Sequence, residues 1–335
     1  MYMIETMIFN VLILILIMLS ISSVKQNNIP WIESVNSYRG LMALLIVAGH
    51  VSNMMVGRTP YDLIARFAYV IVGYFFFVSG LGNAVKYSDG GPTVFFADYW
   101  ERKVIYLIVL AIVTWCFYLF GQWILKVKVF NTYSDNLLLN FCNDTNWYIW
   151  ELLAIYILLW ACLRLFGEKG KWILLVIVIV GVAIIYVLKG PSVYYKSAVA
   201  FPIGVLVGMN VKKNIVMSKQ NIILLVGIAV AGGGFALSGI PLLRQVYMSN
   251  VICIIGIAIV TIAAHFFAIT GKLLAFCKKI STEIYLIQFL WLKTLGRFTE
   301  SFELRLITVL ICTLGSACVL SFIINPIKRL LRKRG

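Results

Sequence analysis

The sequence predicts an all-α integral membrane protein, a polytopic bundle of about 10–11 transmembrane helices. Three observations carry this. First, 62% of the 335 residues are hydrophobic and only 13% are charged, and mean hydropathy is +0.96. A soluble domain has roughly half its residues apolar and about a quarter charged, so the excess faces lipid rather than water. Second, the apolar residues fall into continuous runs of bilayer-crossing length. Third, those runs lack the period-two alternation of a transmembrane β-barrel, and a backbone in hydrocarbon must pair its own polar groups, as a helix does.

The runs lie at 7–24, 39–57, 63–85, 104–125, 147–166, 172–188, 193–209, 220–237, 246–269, 281–296 and 304–325. The run at 193–209 is short and contains Pro202, so a re-entrant path is an alternative there. The segment ahead of the first run carries Glu5, and no basic residue comes before Lys25. The run therefore lacks the basic start of a cleaved signal peptide and reads as an additional N-terminal helix within residues 1–30. The seven cysteines are scattered without metal-ligand spacing, which predicts no metal site and no disulfide framework.

Basic residues orient the bundle. With the C-terminus in the cytoplasm and the N-terminus outside, most of the 29 lysines and arginines fall in inner segments, including Lys86, Arg102, Lys103, Lys278 and the run from Lys328 to Arg334. That is the positive-inside pattern. It explains the net charge of +16 by the anionic cytoplasmic leaflet, without nucleic acid. The loops are short. The longest outer one is 126–146 and the longest inner one is 86–103, so chemistry must occur at or within the membrane.

Ionisable residues inside spans are costly and mark function by default. They are His50, Glu151, His265 and Glu283, with Arg39 at a span's mouth. Arg39 and His50 are eleven positions apart, which places them near one helix face and roughly 16 Å apart along the axis. An arginine at the mouth binds phosphate through its fork of donors. A deeper imidazole serves as general base. The plain alternative is that Arg39 snorkels to headgroups while His50 bonds a neighbouring helix. His265 reads as structural and Glu283 as an interfacial or first-turn charge. Trp147, Tyr148 and Trp150 read as an aromatic belt first and a sugar platform second. The glycine run at 232–234 lacks a phosphate-loop context.

Several segments resemble one family in order. Tyr38-Arg39-Gly40-Leu41 with Ala48-Gly49-His50 is similar to the Arg-x10-His signature of the acyltransferase-3 family of membrane acyltransferases. Phe75 to Gly80, Tyr99 to Lys103, Trp147 to Glu151 and Ser281 to Gln288 resemble its later segments. The resemblance spans about 39–290 and makes 31–335 an acyltransferase-3-like membrane domain of a stand-alone member, without a hydrolase domain.

It implies a cell-membrane enzyme with a cytoplasmic acyl-CoA donor, commonly acetyl-CoA, and no permanently bound cofactor. The acceptor would be a hydroxyl of a cell-surface glycan or its lipid-linked precursor. By the resemblance His50 is catalytic and Arg39 its companion. Glu151, near the outer end of its span at a depth comparable with His50, is a candidate orienting carboxylate or simply meets water at the interface. Ser79, Asn83, Arg102 and Lys103 with Arg39 are donor-binding candidates, and Trp147, Tyr285 and Gln288 substrate-binding candidates; the plain alternatives are helix packing for Ser79 and Asn83 and a topology signal for Arg102 and Lys103. Gln288 departs from the family's usual histidine and cannot titrate. Rival readings are a transporter or flippase, which would show inverted repeats, and a non-catalytic subunit of polysaccharide export.

Overall fold

The computed structural model describes residues 20–24, 29–55, 62–126, 147–210, 227, 240–295 and 302–333. The apolar run 7–19, most of 220–237, the glycine run at 232–234, and the outer loop 127–146 lie outside the described residues.

The described chain is helical almost throughout, with helices α1 (Trp31–Ser37), α2 (Arg39–Asn53), α3 (Asp62–Arg66), α4 (Ala68–Phe96), α5 (Tyr106–Leu125), α6 (Trp147–Phe166), α7 (Gly170–Val187), α8 (Ala200–Asn210), α9 (Met248–Phe266), α10 (Lys272–Lys279), α11 (Ser281–Leu295) and α12 (Phe302–Lys333). A π-helical stretch, Trp100–Ile105, leads into α5, and another, Leu243–Tyr247, leads into α9. Among the described residues, five helical stretches are long and apolar enough to cross a membrane: Ala68–Phe96, Trp100–Leu125, Trp147–Val187, Leu243–Phe266 and Phe302–Leu331. The third is two helices, α6 and α7, which turn at Gly167–Lys169 and pack on each other. Their outward faces are apolar: Trp123 is 76% exposed and Phe322 80% exposed. Side chains of that kind are left open on a surface that meets lipid. The chain is an all-α polytopic membrane protein.

The chain divides into two compact units. The first comprises Met1–Ala68, Val109–Asn146 and Ala264–Ile327; the second comprises Tyr69–Ile108, Trp147–Ala263 and Lys328–Gly335.

In the first unit α2 packs against α3, α10 and α11. Contact with α10 is backbone to backbone. A Cβ on Gly40 would collide with the carbonyl of Leu274 and lie 2.8 Å from the amide nitrogen of Lys278. Small residues at helix contacts permit such approach. Two short strands close the unit, β1 (Ile21–Ser23) and β2 (Phe267–Ile269), antiparallel with Ser22 opposite Ala268. The end of the first predicted span is therefore a strand rather than helix, and so is the end of the ninth. Buried hydroxyls fasten this edge: Ser34 Oγ donates to the Ala264 carbonyl at 2.6 Å, and Ser37 Oγ accepts from the Ile269 amide at 2.8 Å. Tyr38 donates to the Phe267 carbonyl at 3.1 Å, and burial raises its phenol above the ordinary value.

In the second unit α4 lies against α8 through interlocking glycines. A Cβ on Gly80 would strike the Phe201 carbonyl, and one on Gly204 the Phe77 carbonyl. The expected inner loop 86–103 is instead mostly helical. α4 continues to Phe96 across a break at Gly91, whose φ of 71° precedes Pro92. The left-handed backbone suits glycine, and proline cannot donate to the helical ladder. The short run 193–209 holds a single turn at Ser192–Tyr194 and the eleven-residue α8.

Candidate active site

Arg39 opens α2 and His50 sits in its last turn. Both meet α11. Arg39 Nη2 lies 3.5 Å from Thr282 Oγ1, at the start of α11. The His50 ring is 4.8 Å from that of Phe289, two turns further along. Thr282 is to Arg39 as Phe289 is to His50, so the two helices run parallel, the relative direction assigned to the second and tenth predicted spans. The His50 side chain is half-buried, with its ring against Phe289. Glycine at position 40 lets α10 press against α2, with the backbone of Leu274 and Lys278 at the contact. Sequence reading counted Lys278 only as a topology signal. The contact of its backbone with Gly40 depends on close packing between α2 and α10.

The other residues predicted on α11 are less open. Tyr285 is 3% exposed and Gln288 is fully buried. Gln288 Nε2 donates to the Tyr285 carbonyl at 3.0 Å, and its Oε1 has no partner among the described residues. Glu283 is buried in the first turn of α11 rather than at a water interface. His265, at the end of α9, packs its ring 4.8 Å from Phe266.

In the second unit the donor-side candidates converge on a residue that sequence reading passed over, Tyr156 of α6. Its hydroxyl shares a 2.5 Å hydrogen bond with Ser79 Oγ. Asn83 Nδ2 donates to the Ser79 carbonyl at 2.8 Å. Lys103 Nζ lies 5.2 Å from the centre of the Tyr156 ring, a cation–π distance. Tyr99, fully buried, donates its hydroxyl to the Tyr156 carbonyl at 2.8 Å. The aromatic spacing of α6 alone marks Tyr156 as core. Only contacts with α4 and with the π-helical stretch single it out.

The two basic residues of that stretch differ in environment. Arg102 pairs with Asp98, which also accepts from Lys86 Nζ at 3.0 Å. Lys103 has no carboxylate partner among the described residues. The π-helical winding of Trp100–Ile105 sets their placement, and such windings recur at functional sites.

Glu151 is buried on α6, and neither carboxyl oxygen has a hydrogen-bond partner among the described residues. An unpartnered buried carboxyl is costly, which separates it from a carboxylate meeting water at the interface. Trp147 begins α6 and stands edge-on to Tyr148 and, at 5.9 Å, to Tyr194. The arrangement thus holds two clusters. One is a cation and an imidazole along one helix, facing α11. The other is a set of hydroxyl, amide and ammonium groups around Tyr156.

A family model described as an acyltransferase domain matches residues 32–325. No curated protein and no solved structure matches the chain significantly.

Proposed function

We propose a reaction for this chain from one premise: it belongs to the acyltransferase-3 family, whose acyltransferase domain covers residues 32–325. It is a membrane acyltransferase. In our reading it moves an acyl group, acetyl being the family's commonest, from acyl-CoA at the cytoplasmic face to a hydroxyl of a surface glycan or its lipid-linked precursor.

The observation that carries this reading is the shared helix. Arg39 and His50 lie on α2 and meet the same partner helix at Thr282 and Phe289. The distance between them along the axis is about 16 Å. A donor with phosphates at one end and a thioester at the other is long enough to use both. Arg39 accepts the phosphates through charge-assisted hydrogen bonds.

At the other end His50 removes the proton from the acceptor hydroxyl. The hydroxyl oxygen attacks the thioester carbonyl carbon, a carbon–oxygen bond forms, and the carbon–sulfur bond breaks. The thiolate leaves and takes up the proton as free CoA thiol. Phe289 packs against the imidazole.

The test is thiol release by the detergent-purified protein, with acetyl-CoA and with and without extracted envelope glycan. His50→Ala should lose at least about 100-fold in turnover, the usual worth of a positioned general base, while its melting temperature stays near that of the wild type. Comparable turnover in the variant would remove His50 from the chemistry. Absence of thiol release from folded wild-type protein would sink the acyl-CoA reading.

A further inference from the structure

We propose that the cleft formed by Tyr186, Lys189 and Tyr195 is a binding site for an anionic sugar, one that carries a carboxylate or a phosphate. This rests on the reading of the chain as a glycan acyltransferase, and it names the chemical class of the acceptor.

The cleft lies in the second unit, where α7 ends. It has a volume of about 410 Å³ and is lined by Tyr186, Val187, Lys189, Gly190 and Tyr195. That falls within the range of small-ligand sites, about 300–1,000 Å³. The rings of Tyr186 and Tyr195 meet edge to face, centroids 5.6 Å apart at 89°. Both are half-buried, so each offers a ring face or edge and a hydroxyl to a ligand. Tyrosine supplies such amphipathic contact area at low cost in conformational entropy. The apolar C–H face of a pyranose packs on the ring, and its hydroxyls bond the phenol oxygens.

Lys189 supplies the charge. It is exposed and has no ion-pair partner among the described residues. Its backbone is unusual, with φ at 56°. The Lys189 amide donates to the Tyr186 carbonyl at 2.9 Å and the Gly190 amide to the Ile185 carbonyl at 2.8 Å. These two bonds are the Schellman ending of a helix, and Lys189 occupies the left-handed position where glycine is usual. A side chain there costs roughly 1 kcal/mol relative to glycine, and Gly190 stands one residue away. Lysine at the strained position is the residue whose ammonium the cleft uses.

The far wall is held firmly. Asn250 of α9, 3% exposed, donates from Nδ2 to the Tyr195 carbonyl at 2.6 Å and the Val246 carbonyl at 2.9 Å. Its Oδ1 accepts from the Val199 amide at 3.3 Å. A buried amide with these three bonds fixes the segment that carries Tyr195, so little freedom is lost when a ligand binds. A lipid headgroup asks only for a flexible cation that reaches it. An aromatic cleft with an ammonium on its rim fits a sugar better.

The test uses the full-length protein in phosphatidylcholine nanodiscs, with binding measured by calorimetry. The probes are hexagalacturonate, maltohexaose and a 6-phosphate ester of maltohexaose. At least one anionic probe should bind more tightly than maltohexaose, and which one binds tells carboxylate from phosphate. Salt should weaken that binding. Lys189→Gly should weaken it roughly fivefold, as for a partly exposed ion pair, while the melting temperature holds or rises because glycine suits the position. Tyr195→Ala should weaken all saccharide binding.

Equal affinity for maltohexaose, no binding of any probe, or an unchanged affinity in Lys189→Gly overturns the proposal. So does a Lys189→Gly effect confined to retention of phosphatidylglycerol, which would make the cleft a headgroup site. Anionic saccharide binding without thiol release would leave the cleft standing and remove the glycan-acylation reading. Thiol release that Lys189→Gly leaves untouched, with binding also unchanged, would do the reverse.

Discussion

Replacing Tyr156 by phenylalanine and by leucine separates two contacts that meet on one side chain. Phenylalanine deletes the hydroxyl that bonds Ser79 at 2.5 Å but keeps the ring under Lys103. Leucine deletes both. A buried hydrogen bond contributes about 1 kcal/mol to stability, so the two variants should lose a similar amount on that account, and leucine should lose more through poorer filling of a site only 6% exposed. The ring contact differs. Lys103 Nζ stands 5.2 Å from the ring centre and is half-buried. That places it between the exposed and desolvated limits of a cation–π pair, about 0.5–2 kcal/mol.

If Lys103 binds donor phosphates and the ring positions it, Tyr156→Leu should raise the KM for acyl-CoA roughly two- to thirtyfold. Tyr156→Phe should stay within about twofold of wild type, because its ring survives. The assay is thiol release against donor concentration at saturating glycan, with melting temperature as the control for folding. Lys103→Ala in each background completes the cycle, and its effect should largely vanish beside leucine. Equal donor KM for phenylalanine and leucine, in variants that both melt normally, would refute the positioning argument.

Two further outcomes follow from the packing. Arg39→Ala should raise the KM for acyl-CoA by about tenfold or more, the worth of a charge-assisted hydrogen bond, with a smaller change for the glycan; unchanged donor kinetics would remove the phosphate role. Gly204→Ala should cost about 1–3 kcal/mol, read as a lower melting temperature, because the new methyl meets the Phe77 carbonyl and, at 3.0 Å, the Leu81 amide nitrogen; an unaltered melting curve would show that α4 and α8 can part without loss.

Much of the fold was legible in composition and periodicity, because a lipid-facing helix advertises itself along the chain. Runs such as 104–125 and 147–166 coincide with α5 and α6 to within a residue or two. The misreadings are instructive. Residues 86–103 are polar enough to read as a loop, yet they are helical on both sides of Gly91. Polarity reports exposure to water, and an exposed helix is as polar as an exposed loop. Residues 267–269 are apolar enough to read as helix, yet they pair with Ile21–Ser23. Short apolar runs carry no sign of which structure will bury them.

The sequence by itself determined the membrane class, the family, and the placing of Arg39 and His50 on one helix, since each depends on residue type and spacing along a single element. Only the tertiary structure decided what those residues meet. Thr282 and Phe289 lie more than 230 positions from their partners on α2, and no periodicity connects them. Ser79 and Tyr156 meet across 77 positions. Asp98 takes up Arg102 rather than Lys103, which follows from the winding of one turn. The αL backbone at Lys189 and the bonds of Asn250 to Tyr195 likewise arise where separate helices end together. Contacts of this kind are set by which helix faces can approach, a property of the packed chain that no single segment carries.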